Sequence, residues 1–297
     1  VNSNSSKGVF LSVVASCLFG GLYYYSTLLT PLQGEDIFAW RMIFTVPFIL
    51  LGVHLMGEGY RVAAIFQRLI REPLLGLALI ASSAFLGLQL WLFMWAPLHD
   101  KALEVSLGYF MLPLTMVLTG RLIYGERLSG WQKLAAGSAL VGVTHEVFRV
   151  GGFPVEALTV ALGYPVYFIL RKRFQTNHVG GLWFDLVLLL PIAIAIAWMG
   201  PMDATLLAAH PKLLWLIPLL GLISAAALMA YMVSNRLLSF GLFGLLGYVE
   251  PVLLLLVAFM LGDLLQPEEY LTYVPIWLAV GCLVVEGTLH LIRRRSS

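Results

Sequence analysis

Ten apolar runs follow one another along the chain, each of about the 20 residues that a helix needs to cross a hydrocarbon core of ~30 Å. The first five lie near Gly8 to Leu29, Ile37 to Met56, Leu74 to Pro97, Ala102 to Leu122 and Trp131 to Val150. The second five lie near Phe153 to Leu170, Val179 to Met199, Leu213 to Asn235, Leu242 to Leu261 and Leu271 to Ile292. The chain is 60% hydrophobic and 11% charged, against roughly 25% charged in soluble proteins. This is the pattern of an all-α integral membrane protein, not of a soluble domain.

The two sets of five repeat one another. Trp40-Arg41 stands six residues before Pro47, and Phe184-Asp185 six residues before Pro191. Leu107-Gly108-Tyr109 precedes Pro113 and then Gly125-Glu126; Leu246-Gly247-Tyr248 precedes Pro251 and then Gly262-Asp263. Ala96 to Pro113 spans as many steps as Ser234 to Pro251. An odd number of crossings per copy turns the second copy upside down relative to the first. Inverted repeats with broken helices are an architecture of alternating-access transporters. The expected division is residues 1–150, helices one to five, and residues 151–297, helices six to ten, around a central cavity.

Basic residues resist translocation, so their distribution orients the spans. With the amino terminus inside, fourteen Lys and Arg fall inside, Arg171 to Arg173 and Arg293 to Arg295 among them, and only Lys101, Arg149 and Lys212 fall outside. Glu35, Asp36, Asp203, Asp263, Glu268 and Glu269 face out. Both termini are therefore expected to be cytoplasmic. The first apolar run lacks a small-residue cleavage pattern and reads as an uncleaved helix. The formal charge of +2, spread over loops, carries no nucleic-acid message. Cys17 and Cys282 lie far apart within spans, which argues against a disulfide framework or a cysteine metal site. No glycine-rich phosphate loop is present, so ATP coupling is not expected. The longest loop, Gly57 to Pro73, alternates Arg61, Arg68 and Arg71 with Val62, Ile65, Phe66 and Leu69. It reads either as a short helix on the cytoplasmic membrane surface or as a solvated basic loop.

The run Leu103-Glu104-Val105-Ser106-Leu107-Gly108-Tyr109-Phe110, preceded by Trp95-Ala96, resembles a stretch of RarD-type proteins in the EamA branch of the drug/metabolite transporter superfamily. The resemblance continues in Trp40-Arg41, Leu170-Arg171-Lys172, Asp185 with Leu188 to Pro191, and Asn235-Arg236-Leu237, and covers essentially the whole chain. It implies ten helices in two inverted halves, a cavity for a small organic solute, and proton-coupled or facilitated movement across a bacterial inner membrane. Three departures bear on substrate. Tyr23 to Thr27 stand where the family has a proline and a lysine, Glu250 stands where it has a small residue, and His145-Glu146 stand where relatives are neutral.

An ionisable residue at mid-bilayer costs about 2.5–3.5 kcal/mol on insertion scales, so it is expected to face a cavity or a partner. Glu250, beside Pro251, is the leading candidate for substrate binding and proton coupling; the plainer reading is a neutral acid bonded to a neighbouring helix. Arg41 reads as a clamp for a substrate carboxylate or as a side chain snorkelling to the interface. Asp185 reads as a proton relay or as a cap on a neighbouring helix. His145 and Glu146, adjacent and so about 100° apart on a helix, are not expected to share a face. Glu146 is expected to pair with Arg149, and His145 to line an outer vestibule. Tyr24 and Tyr167, each just after a matching glycine, Trp91 and Trp95 one turn apart, Tyr231, Tyr109 and Tyr248 beside the prolines, and Asn235 complete an aromatic and polar wall. Pro113 and Pro251 are expected to kink or open their helices.

Together these features favour a secondary transporter for a small amphipathic or zwitterionic metabolite. Its partners are that solute, the lipid bilayer and, for coupled movement, protons, with no cofactor, metal or nucleic acid. Multidrug efflux would want mostly apolar walls. An intramembrane enzyme would need a convergent nucleophile or metal, and no His-x-x-x-His, His-Glu-x-x-His or Gly-x-Ser-x-Gly pattern is present.

Overall fold

Where no water reaches the backbone, every N–H and C=O must be paired inside the protein, and a helix does this within one segment. The computed structural model describes residues 3–96, 101–253 and 267–295. Its helices are α1 (Ser3–Thr27), α2 (Gly34–Leu55), α3 (Gly59–Arg71), α4 (Pro73–Trp95), α5 (Ala102–Tyr124) and α6 (Gly130–Val150). They continue as α7 (Val155–Arg173), α8 (Val179–Met199), α9 (Ala204–Ala209), α10 (Leu213–Leu237), α11 (Phe240–Leu246) and α12 (Tyr270–Arg295). Seven helices among the described residues are long and apolar enough to cross a membrane, and the protein is an all-α, multi-pass membrane protein. The helices α6 and α7 coincide with expected spans but fall outside that set. They are the more polar ones, with Lys133, His145, Glu146 and Arg149 on α6 and Glu156 and Arg171 to Arg173 on α7.

The chain forms two compact units that cut across the two sequence halves. One comprises Gly21–Ala102 and Val166–Val233, the other Val1–Gly20, Leu103–Pro165 and Ser234–Ser297. Each draws helices from both halves, and the boundaries fall inside α1, α7 and α10 and after the first residue of α5.

In the first unit α8 packs along α2 and α4. The backbone of α2 at Phe44 comes so near Gly221 of α10 that a Cβ there would overlap it. Ile65 of α3 is buried with Leu75, Leu79 and Phe184, and the Phe66 ring lies 4.8 Å from that of Phe184. The Gly57 to Pro73 segment is thus a helix, but Ile65 is seated on α4 and α8 instead of resting on lipid. Tyr60 and Ile70 stay exposed. Arg68 ties α3 further, donating to the Phe174 carbonyl at 3.1 Å and to both Glu72 oxygens at 3.0 and 2.8 Å.

In the second unit α6 packs along α12. Helix α6 starts on a Ser129–Gln132 capping box and ends at Gly151, whose φ of 87° suits glycine. Gly142 lets α12 approach so closely that a Cβ would overlap the Thr272 carbonyl, and Ser138 donates to the Pro275 carbonyl at 2.7 Å. Helix α5 runs unbroken through Pro113, so that proline does not open it. The ninth segment is interrupted: α11 ends at Leu246, Gly247 and Tyr248 form a turn, and helix resumes over 249–253. The Gly247 carbonyl takes the Glu250 N–H at 3.2 Å, because Pro251 has no N–H to continue the ladder. The remainder of the expected ninth span, with Gly262-Asp263, lies outside the described residues.

Candidate functional site

A fully buried ion pair lies in the first unit. Tyr167 and Arg171, four residues apart on α7, share one helix face, and both are buried. Arg171 Nη1 lies 3.2 Å from Asp185 Oδ2 on α8, with both side chains 0% exposed; the contact is an ion pair, out of line for a hydrogen bond. The carboxylate also accepts Ser82 Oγ of α4 at 2.6 Å and the Tyr167 hydroxyl at 3.0 Å. Ser83 Oγ donates to the Asp185 carbonyl at 2.8 Å. Arg171 Nη2 donates to the His178 carbonyl at 3.1 Å, and its guanidinium stands 5.7 Å from the Tyr167 ring centroid. A Cβ at Gly181 would collide with this guanidinium and with the Thr176 carbonyl, so α8 can begin here only with glycine. The cluster joins α4, α7 and α8 by charge and hydrogen bonds.

Of the three basic residues that end α7, Arg171 is fully buried while Lys172 and Arg173 are exposed. Its four-residue spacing from Tyr167 and its place in the Leu170-Arg171-Lys172 motif are the sequence signals for it. Asp36, expected to face out, is buried as the cap of α2, its Oδ2 accepting the Gln33 N–H at 3.2 Å.

Arg41 does not snorkel: it is 3% exposed, and its Nε donates to Ser224 Oγ of α10 at 2.8 Å. Of the predicted aromatics in this unit, Trp91 and Trp95 stack at 5.1 Å between centroids. Tyr231 packs on Phe168 at 5.8 Å, and Phe168 on Tyr167 at 5.0 Å. Tyr24 is exposed. Tyr167, Asp185 and Tyr231 thus belong to one connected cluster in the first unit, through Phe168.

The second unit holds Tyr109, His145, Asn235, Tyr248 and Glu250. Tyr248 is buried, with its hydroxyl on the Phe110 carbonyl at 2.9 Å. Tyr109 and Glu250 are half-buried and Asn235 is buried. Glu146 forms the expected pair with Arg149, at 3.0 and 2.6 Å, but the carboxylate is buried inside the helix pair. His145 and Glu146 make no direct pair, but Thr272 of α12 stands between them. Its hydroxyl donates to Glu146 Oε2 at 2.7 Å and meets His145 Nδ1 at 2.9 Å. Glu126, which sequence reasoning did not select, accepts the Phe240 and Gly241 amides at 2.7 and 2.8 Å and so closes the start of α11. A recess of about 620 Å³ opens beside Met111, Leu114, Leu140, Val143 and Phe148. It is apolar and contains none of the predicted site residues.

Over 98% of its length the chain is 46% identical to the chloramphenicol-sensitive protein RarD of Pseudomonas aeruginosa, covering 98% of that protein. It is 43% identical to an uncharacterized transporter of Pasteurella multocida, over 97% of this chain and 99% of that one. The chain belongs to the RarD-like transporter family. A transporter of Haemophilus influenzae is 38% identical over 95% of this chain and 94% of its own length. No family model matches. A solved crystal structure shares the fold at a TM-score of 0.66, with 17% identity over 93% of this chain and 97% of that one. At the level of family the protein is a membrane transporter.

Proposed function

We propose that this RarD-like transporter is a secondary carrier of the bacterial inner membrane that moves a small amphipathic or zwitterionic metabolite by alternating access. The observation that carries the reading is identity of 38–46% over nearly the whole chain to proteins named as transporters and RarD. In this reading the chain is an EamA-type protein with ten spanning helices. Residues 1–150 and 151–297 are inverted five-helix repeats, and both termini are cytoplasmic. The paired motifs support the repeats. So do the compact units, each of which takes corresponding helices from both halves.

Substrate is held by the aromatic and polar residues Tyr24, Arg41, Trp91, Trp95, Tyr109, His145, Tyr167, Tyr231, Asn235, Tyr248 and Glu250. Glu250 carries the coupling: it is half-buried, and it lies where Pro251 breaks the helical ladder. Asp185 contributes through the ion pair that fixes α7 to α8. Movement is proton-coupled or facilitative and needs neither ATP nor a cofactor, and no catalytic step is involved.

One observation favours a second substrate class: the Pseudomonas aeruginosa relative is named for chloramphenicol sensitivity, which keeps multidrug efflux as the alternative. The purified chain in proteoliposomes tests both. Glu250→Gln keeps the side chain's shape and removes its titration. Its flux should fall strongly, or lose its pH dependence while binding persists. A normal rate with a normal pH profile would reduce Glu250 to a structural acid. Uptake of apolar drugs but of no amino acid, nucleoside or opine-type chelator would favour efflux.

A further inference from the structure

The hydrogen-bond chain between α6 and α12 has a direction. Thr272 has one hydroxyl proton, and its Oγ1 stands 2.7 Å from Glu146 Oε2 and 2.9 Å from His145 Nδ1. Arg149 grips Glu146 through two N–H donors, at 3.0 and 2.6 Å. A carboxylate held in such a fork is ionised and only accepts. The threonine proton therefore goes to Glu146, and the imidazole must supply the other proton from Nδ1. Neutral His145 is thus the Nδ1–H tautomer, and its Nε2 carries a lone pair. His145 is half-buried, and none of the described residues donates to that nitrogen.

The backbone builds this arrangement. Gly142, His145 and Glu146 are spaced i, i+3 and i+4, so all three lie toward one side of α6. The bare Gly142 brings α12 close enough for a single Thr272 hydroxyl to meet both side chains.

We propose that His145 Nε2 is a proton-binding site, oriented by Thr272 and Glu146, which makes solute movement in this carrier pH-sensitive. Among the described residues, the charged and titratable groups around the network are Glu146 and Arg149 on α6, Glu269 in the turn just before α12, and Tyr273 on α12. Glu269 lies 3.7 Å from the Arg149 guanidinium. A proton taken from water onto the Nε2 lone pair makes an imidazolium on the same network as the Glu146 carboxylate. The Nδ1–H still donates to Thr272 and the hydroxyl still donates to Glu146, so uptake and release need no rearrangement of the chain. The flux consequence rests on the carrier reading; the proton site does not.

Imidazole nitrogen NMR of the purified, ¹⁵N-histidine-labelled protein tests the site, with His145→Asn identifying the signal. In alkaline solution the Nδ1–H tautomer should exceed the Nε2–H tautomer about tenfold, the equivalent of one hydrogen bond. Acidification should protonate Nε2. Thr272→Val should mix the tautomers, and Thr272→Ser should restore the wild-type pattern. A wild-type Nε2–H tautomer overturns the proposal, as does an imidazole that stays neutral throughout about pH 5–8. Should Thr272→Val fail to fold, the wild-type spectrum and Thr272→Ser still decide. In proteoliposomes His145→Gln should flatten the pH profile of uptake, and an unchanged profile refutes the link to movement. An Nδ1–H spectrum in a protein that carries no solute would refute the carrier reading and leave the proton site standing.

Discussion

Asp185→Asn should destabilise the protein far more than loss of a surface charge. The substitution keeps the shape of the side chain and one acceptor for Ser82 and Tyr167, which now bond it at 2.6 and 3.0 Å. It removes the partner of a guanidinium that is 0% exposed and 3.2 Å away. At that separation, with an effective dielectric constant of about 20, the attraction is about 5 kcal/mol. Breaking a buried pair by removing one member costs about 3–5 kcal/mol, because the survivor stays charged and desolvated. The His178 carbonyl and the Tyr167 ring remain against Arg171 and keep the cost from rising further. Reversible unfolding in mixed micelles, followed by tryptophan fluorescence, measures it. Arg171→Leu should cost a similar amount. The double variant Arg171→Leu with Asp185→Asn should recover at least about 2 kcal/mol of the summed loss, since no charge is stranded. A cost below about 1 kcal/mol for Asp185→Asn, or strict additivity in the double variant, would refute the assignment of this pair as the anchor of α7 to α8.

Gly181→Ala should cost about 1–3 kcal/mol by overpacking against Arg171 and the Thr176 carbonyl, read in the same micelle unfolding assay. Glu126→Ala strips the acceptor from the Phe240 and Gly241 amides and should cost about 1–3 kcal/mol, with faster hydrogen exchange confined to the start of α11. The Thr205 hydroxyl and then the Leu206 amide hold the Asp203 carboxyl below the usual carboxylate range. Its support of α9 is therefore fully present at neutral pH and is lost as pH falls through that lowered value. Amide exchange in α9 should speed up in acid in the wild type, and Asp203→Asn should remove that pH dependence.

The spanning segments could be read because length and hydropathy alone decide whether a helix can cross a bilayer, and the expected positions of α2, α4, α8 and α10 agree closely with their observed limits. The short α3 is one of the two readings that the sequence left open for this segment, the other being a solvated loop. Its docking on Leu75, Leu79 and Phe184 was not legible, since lipid and protein present the same apolar surface to Ile65. Arg171 was hidden for a different reason. Three consecutive basic residues end α7, and only the fold shows which one turns inward to meet a carboxylate fourteen residues later on α8. Arg41 and Asp185 were both selected as intramembrane charges, but their partners Ser224 and Ser82 carry no marker in the sequence. The Thr272 link between His145 and Glu146 was equally invisible, because it depends on the close approach permitted at Gly142.

Solute counterflow tests the carrier mechanism most directly. Proteoliposomes holding the purified chain are loaded with an unlabelled solute chosen by thermal shift from amino acids, opine-type chelators, nucleosides and drugs. They are then diluted into a trace of the labelled compound. An alternating-access carrier exchanges one for the other, so label should accumulate transiently above its external concentration and then decay. Label that enters only down its gradient without an overshoot, or that is recovered chemically altered, would contradict the account.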